Sequence, residues 1–130
     1  MPYVHIVIGL ALVQFFYFCL EVGRARGRYK IEAPATTGNE VFERYFRVQM
    51  NTLELLVMFI PSILMFGIYM SPYIAAAIGA VYLVGRMIYL SSYVKNPKSR
   101  SAGYGLSALP TLILLVGGII GAVRAAFFVH

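Results

Sequence analysis

Charge is scarce in this chain of 130 residues: only 12% of it is Asp, Glu, Lys or Arg, against about 25% in ordinary globular domains. A soluble domain this small exposes a large share of its surface and needs polar residues to cover it, so a soluble fold is excluded. Acid is the scarcer sign, with five glutamates and no aspartate against eleven Lys and Arg, for a net charge of +6. A basic balance can mark a nucleic-acid binder, but that requires a solvated basic face, and here most positive charges sit in two short segments between apolar runs. Cysteine occurs once, as Cys19 inside the first apolar run, which excludes an intrachain disulfide and reads as a small buried hydrophobe. Disorder is excluded by what is abundant: ten tyrosines, nine phenylalanines and a hydrophobic content of 60%. With a mean hydropathy of +0.76, the remaining class is an integral membrane protein.

About 20 mainly apolar residues cross a bilayer as a helix. Four windows qualify: Val4 to Leu20, Val48 to Met70, Tyr73 to Tyr93 and Ala102 to Val123. The first is too long for a signal peptide and lacks a basic leader, so it is expected to be a true span. The expected architecture is an all-α, up-down bundle of four transmembrane helices in a single domain over 1–130, with helices at approximately 3–26, 42–69, 73–95 and 102–128. Met70-Ser71-Pro72 is a tight turn, while Ala33 to Asn39, rich in turn formers, breaks the longer first connection. Loops 1 and 3 carry Arg24, Arg26, Arg28, Lys30, Arg44 and Arg47, and Lys95, Lys98 and Arg100. The positive-inside rule puts both in the cytoplasm and both termini on the far side, where Tyr3, Tyr69 and Tyr73 anchor the interface. His5 and His130 also fall there, which argues against catalytic or metal roles for them. Pro61 and Pro110 are expected to kink helices 2 and 4, and Gly117-x-x-x-Gly121 to permit close helix packing.

Polar groups inside hydrocarbon need a reason, since a charge at the helix centre costs about 2.5–3.5 kcal/mol on insertion scales. Arg47, Asn51 and Glu54 lie four and seven residues apart, which returns them to one face of helix 2, with Gln49 nearly opposite. Tyr82, Arg86, Tyr89 and Tyr93 form a second stripe on helix 3. One reading pairs Glu54 with Arg86 inside the bundle. The other converges both stripes on a pocket for a small zwitterionic or anionic ligand, with carboxylates on the arginines and an ammonium on Glu54.

The run Phe42-Glu43-Arg44-Tyr45-Phe46-Arg47-Val48-Gln49-Met50-Asn51-Thr52-Leu53-Glu54 resembles the second-helix signature of the MAPEG family, membrane-associated proteins in eicosanoid and glutathione metabolism. The likeness extends to Leu20 through Arg26, to Thr36-Thr37-Gly38, and to Tyr82-Leu83-Val84-Gly85-Arg86 with Tyr89 and Tyr93, covering most of 17–107. It is nearest the branch of microsomal glutathione S-transferase type 2 and leukotriene C4 synthase. The resemblance implies a homotrimer that binds glutathione between neighbouring subunits. Arg47, Asn51, Glu54, Tyr89 and Tyr93 would contact glutathione from one subunit, and Arg26 and Gln49 from the next. Arg100 matches the arginine that holds the sulfur as thiolate, with Tyr93 as a further hydroxyl donor. Leu55 stands where the branch has a tyrosine, and Gly27 where the synthase has an arginine proposed for substrate protonation.

The implied function is a membrane-bound glutathione S-transferase, with glutathione as co-substrate and no metal, acting on lipophilic electrophiles or lipid hydroperoxides that arrive from the membrane lipids. No nucleic-acid partner is expected. The membrane would be the inner membrane in a bacterium, or the endoplasmic reticulum in a eukaryote. A non-catalytic lipid-presenting protein of the same fold and a structural subunit of a larger membrane complex are the competing readings. The presence of Arg47 together with Arg100 favours the enzyme.

Overall fold

The computed structural model describes residues 1–128, apart from the side chain of Arg100. His130 and the Arg100 guanidinium therefore lie outside the described residues and side chains. Four helices take up most of the chain: α1 (Pro2–Tyr29), α2 (Glu40–Tyr69), α3 (Pro72–Lys95) and α4 (Arg100–Phe127), the last preceded by a 3-10 turn at Pro97–Ser99. Pro2 and Pro72 sit in first turns, where a missing N–H costs nothing. Asn39 caps α2 by accepting from the Val41 and Phe42 N–H groups at 2.9 and 3.1 Å, and Glu40 and Glu43 place negative charge at its positive end. Ser71 caps α3 through the Ile74 N–H at 3.2 Å. Lys30, left-handed at φ 57°, closes α1, and the Ile31 N–H returns to the Arg26 carbonyl at 3.0 Å.

Length decides where the site can lie. At about 1.5 Å per residue, the 28 residues of α1 and the 30 of α2 far exceed a hydrocarbon core of about 30 Å. The helices therefore project beyond the apolar windows beside the basic loops. α1 stays helical past Leu20 because Val22 and Ala25 pack on Phe42 of α2, while Arg24 pairs with Glu21 at 2.9 Å on the outside. All four helices are long and apolar enough to span a membrane, so the chain is a multi-pass integral membrane protein.

α2 packs against all three other helices, α3 and α4 lie against each other, and α1 seats on α2 and α3. Phe59, Ile63, Tyr82 and Leu114 meet in the central core, with the Phe59 and Tyr82 rings stacked at 3.9 Å. Leu55 is buried in that core. Two glycines let α3 and α4 touch backbone to backbone. A Cβ at Gly85 would fall 2.6 Å from the Leu106 carbonyl carbon, and one at Gly103 would fall 2.5 Å from the Tyr89 Cα. Gly117 and Gly121 serve the α2 contact, against Phe66 and Tyr69. α2 and α4 run on as helices through Pro61 and Pro110. Beside each proline a hydroxyl takes up a neighbouring carbonyl: Ser62 donates to Met58 at 2.5 Å and Thr111 to Ser107 at 2.8 Å. Large apolar side chains such as Val13, Phe16, Leu109 and Ile120 face outward, as a lipid-facing surface requires.

Candidate functional site

A polar cavity large enough to hold a small ligand opens between α2, α3 and α4. It measures about 490 Å³ and is lined by Arg47 and Asn51 of α2, Tyr89 and Tyr93 of α3, and Ser101, Tyr104 and Gly105 of α4. Ligand sites of small molecules usually fall between about 300 and 1,000 Å³. A second cavity, bounded by Glu40, Glu43, Arg44 and Pro97, continues it toward the loops, and the two share Arg47 and Tyr93. The Tyr89 and Tyr93 rings stack at 5.3 Å, and Tyr104 tilts against Tyr89 at 6.4 Å, so three phenols ring one space. Arg47 makes no hydrogen bond or ion pair among the described residues, which leaves its guanidinium available to an anion.

Behind the cavity lies Arg86, fully buried. Its Nη1 donates to Asn51 Oδ1 at 2.7 Å and to Thr52 Oγ1 at 3.1 Å, and its Nη2 donates to Ser107 Oγ at 2.6 Å. The guanidinium also lies 4.5 Å over the Tyr89 ring. A buried ion pair between Arg86 and Glu54 is not formed: the ion pairs among the described residues are Arg24–Glu21 and Arg44–Glu40. Glu54 is exposed on the flank of α2, because Thr52 and Leu55 turn into the bundle on either side of it. Hydroxyl and amide oxygens, with the Tyr89 ring, thus solvate the Arg86 charge in place of a carboxylate.

Of the residues singled out from the sequence, the structure brings Arg47, Asn51, Tyr89 and Tyr93 to one cavity. Arg26, Gln49 and Glu54 are not part of its lining. Arg26 donates to the Ala35 carbonyl at 2.7 Å and stacks 4.9 Å over Phe42. Gln49 donates to the Cys19 sulfur at 3.1 Å. Arg100 opens α4 immediately before Ser101 of the lining. Tyr104 was missed, since it carries no signal in an apolar span. Arg86 was singled out as a charge deep in an apolar window, but its partners Thr52 and Ser107 look unremarkable in sequence.

A family model described as MAPEG family matches residues 4–120. The chain belongs to the MAPEG family. Its MAPEG relatives include the human microsomal glutathione S-transferase 2, 40% identical over 111 residues, which span 85% of this chain and 76% of that protein. Leukotriene C4 synthase of Cavia porcellus is 36% identical over 118 residues, covering 85% of this chain and 79% of the synthase. A Synechocystis protein named only as uncharacterized is 44% identical over 115 residues, or 88% of this chain and 84% of its own length.

Proposed function

We propose that this protein is a membrane-bound glutathione S-transferase that joins the glutathione thiolate to lipophilic electrophiles and uses the same thiol against lipid hydroperoxides. The cavity carries the reading: an unpaired Arg47 guanidinium, the Asn51 amide and three phenols converge beside the basic loops of a bundle whose outer surface is apolar. The names of the human and Cavia porcellus relatives point the same way. In this reading Arg47 and Asn51 hold carboxylate and carbonyl oxygens of glutathione, and Glu54, exposed on the flank of α2 outside this lining, takes the ammonium where the ligand extends beyond the cavity. Tyr89 and Tyr93 wall the sulfur, with Tyr93 offering a hydroxyl donor. The functional unit is a homotrimer with loops 1 and 3 in the cytoplasm. Arg26 and Gln49, which lie outside this subunit's cavity, then reach a neighbour's ligand.

The chemistry is set by the thiol. A free thiol with a pKa of about 8.5 is only a few per cent thiolate near neutrality, and the thiolate is the nucleophile. Bringing it to about 6.5 requires about 2.7 kcal/mol of preference for the charged form. Arg100, at the start of α4 and immediately before Ser101 of the cavity lining, supplies a permanent charge with several donors. The thiolate forms a C–S bond to the electrophile, and the departing group or the adduct takes up a proton. With a hydroperoxide, sulfur attacks the outer oxygen and releases the alcohol; a second glutathione then yields the disulfide and water.

The test is glutathione titration in detergent, followed by thiolate absorbance and a panel of electrophiles and hydroperoxides. Saturable binding with a thiolate signal and conjugate formation is expected. No saturable binding at millimolar glutathione would leave the lipid-presenting reading in its place.

A further inference from the structure

Arg86 is the largest fully buried side chain described, and it has no carboxylate partner among the described residues. A guanidinium has donors and no acceptor, and it does not deprotonate in proteins. Every group it touches must therefore accept. Ser107 Oγ accepts from Nη2 and must send its own hydrogen elsewhere, and it does so to the Gly103 carbonyl at 2.8 Å. The same constraint falls on Asn51. Its Oδ1 is committed to Arg86 at 2.7 Å, so its NH2 is turned the other way, and no described residue accepts from it. Asn51 lines the cavity.

We propose that Arg86 is a positioning residue that locks the Asn51 carboxamide with its NH2 toward the cavity, making this subsite specific for an acceptor group of the ligand, a carboxylate or carbonyl oxygen. The proposal deepens the glutathione reading and rests on it. Arg86 itself does not touch the ligand. Its contact with the Tyr89 ring steadies a second wall of the same cavity from behind. An unconstrained carboxamide could turn over and meet a ligand oxygen with its own oxygen; the guanidinium removes that state before the ligand binds.

The experiment measures glutathione affinity by calorimetry, together with thermal stability, for the wild-type protein, Asn51→Asp, Asn51→Ala, Arg86→Lys and Arg86→Gln. Asn51→Asp keeps an acceptor for Arg86 and should fold with wild-type stability. It presents a second oxygen where the amide presented a donor, so its Kd should rise by about 10- to 150-fold, the worth of one charge-assisted hydrogen bond. Arg86→Lys, still donor-only, should preserve affinity better than Arg86→Gln, which can both donate and accept and frees the amide to turn. The weakening by Arg86→Gln should vanish in the Asn51→Ala background. A merely structural arginine predicts the reverse ranking, because a neutral glutamine is cheaper to bury than an ammonium. Wild-type affinity in Asn51→Asp overturns the proposal, even where the Arg86 variants do not fold. So does an Arg86→Gln effect of equal size with and without Asn51. A wild-type protein that binds no glutathione overturns the functional reading and this proposal together, which sets that failure apart from the other two.

Discussion

Two single-oxygen deletions in the buried interior should move stability in opposite directions. Ser107→Ala removes the oxygen that accepts from Arg86 Nη2 at 2.6 Å, in a guanidinium whose Nε already lacks a described partner. A hydrogen bond to a charged group contributes about 1.5–3 kcal/mol, whereas neutral bonds between helices in bilayers average about 0.6 kcal/mol. A loss above about 1.5 kcal/mol therefore marks a charge held by this hydroxyl rather than ordinary interhelical contact. Tyr82→Phe removes a hydroxyl that is fully buried and finds no hydrogen-bond partner among the described residues, while the ring stacked on Phe59 stays. Leaving such a group unsatisfied costs about 1–3 kcal/mol, so the phenylalanine variant should be at least as stable as the parent. Denaturant titration in mixed micelles, followed by far-ultraviolet circular dichroism, measures both. Equal losses in the two variants would refute the account of how the Arg86 charge is solvated.

Arg47→Ala should raise the glutathione Kd by about 10- to 150-fold with little change in stability, because its guanidinium is exposed and has no described partner to lose; calorimetry beside a melting curve checks both halves. Gly103→Val should destabilise the bundle and separate α3 from α4, since its Cβ would lie 2.5 Å from the Tyr89 backbone; the yield of folded protein and the melting temperature read this out. Glu54→Ala should weaken glutathione binding more than folding, because Glu54 forms no buried pair with Arg86 that the fold could lose; binding constant and yield of folded protein are compared.

The four spans were legible because each needs only a run of apolar residues of membrane length. Half of the site was legible for a related reason: Arg47 and Asn51, and Tyr89 and Tyr93, are pairs four residues apart, and that spacing survives any rotation of a helix. What periodicity leaves open is the angle at which each stripe faces its neighbours. Glu54 shares a stripe with Asn51, yet a small rotation of α2 puts one against Arg86 and the other on the exposed flank. Of the two readings left open by the stripes, the Glu54–Arg86 pair is not formed, because Thr52 and Ser107 solvate the guanidinium without a formal charge to announce them. The contact between Gln49 and Cys19 depends on how α1 lies across α2, which no local pattern encodes.

The central claim is that this cavity holds glutathione as its thiolate, and the ultraviolet difference spectrum on adding glutathione tests it most directly, read in the parent and in Arg100→Ala. The parent should show a saturable thiolate band near neutral pH. Arg100→Ala should still bind through Arg47 and Asn51 but lose most of that band, with about 2.7 kcal/mol of stabilisation gone and the bound thiol titrating about two pH units higher. Arg100→Lys should fall between them, since it keeps the charge without the fork of donors. A parent protein with no thiolate band at saturating glutathione, or an alanine variant whose band is undiminished, would contradict the account.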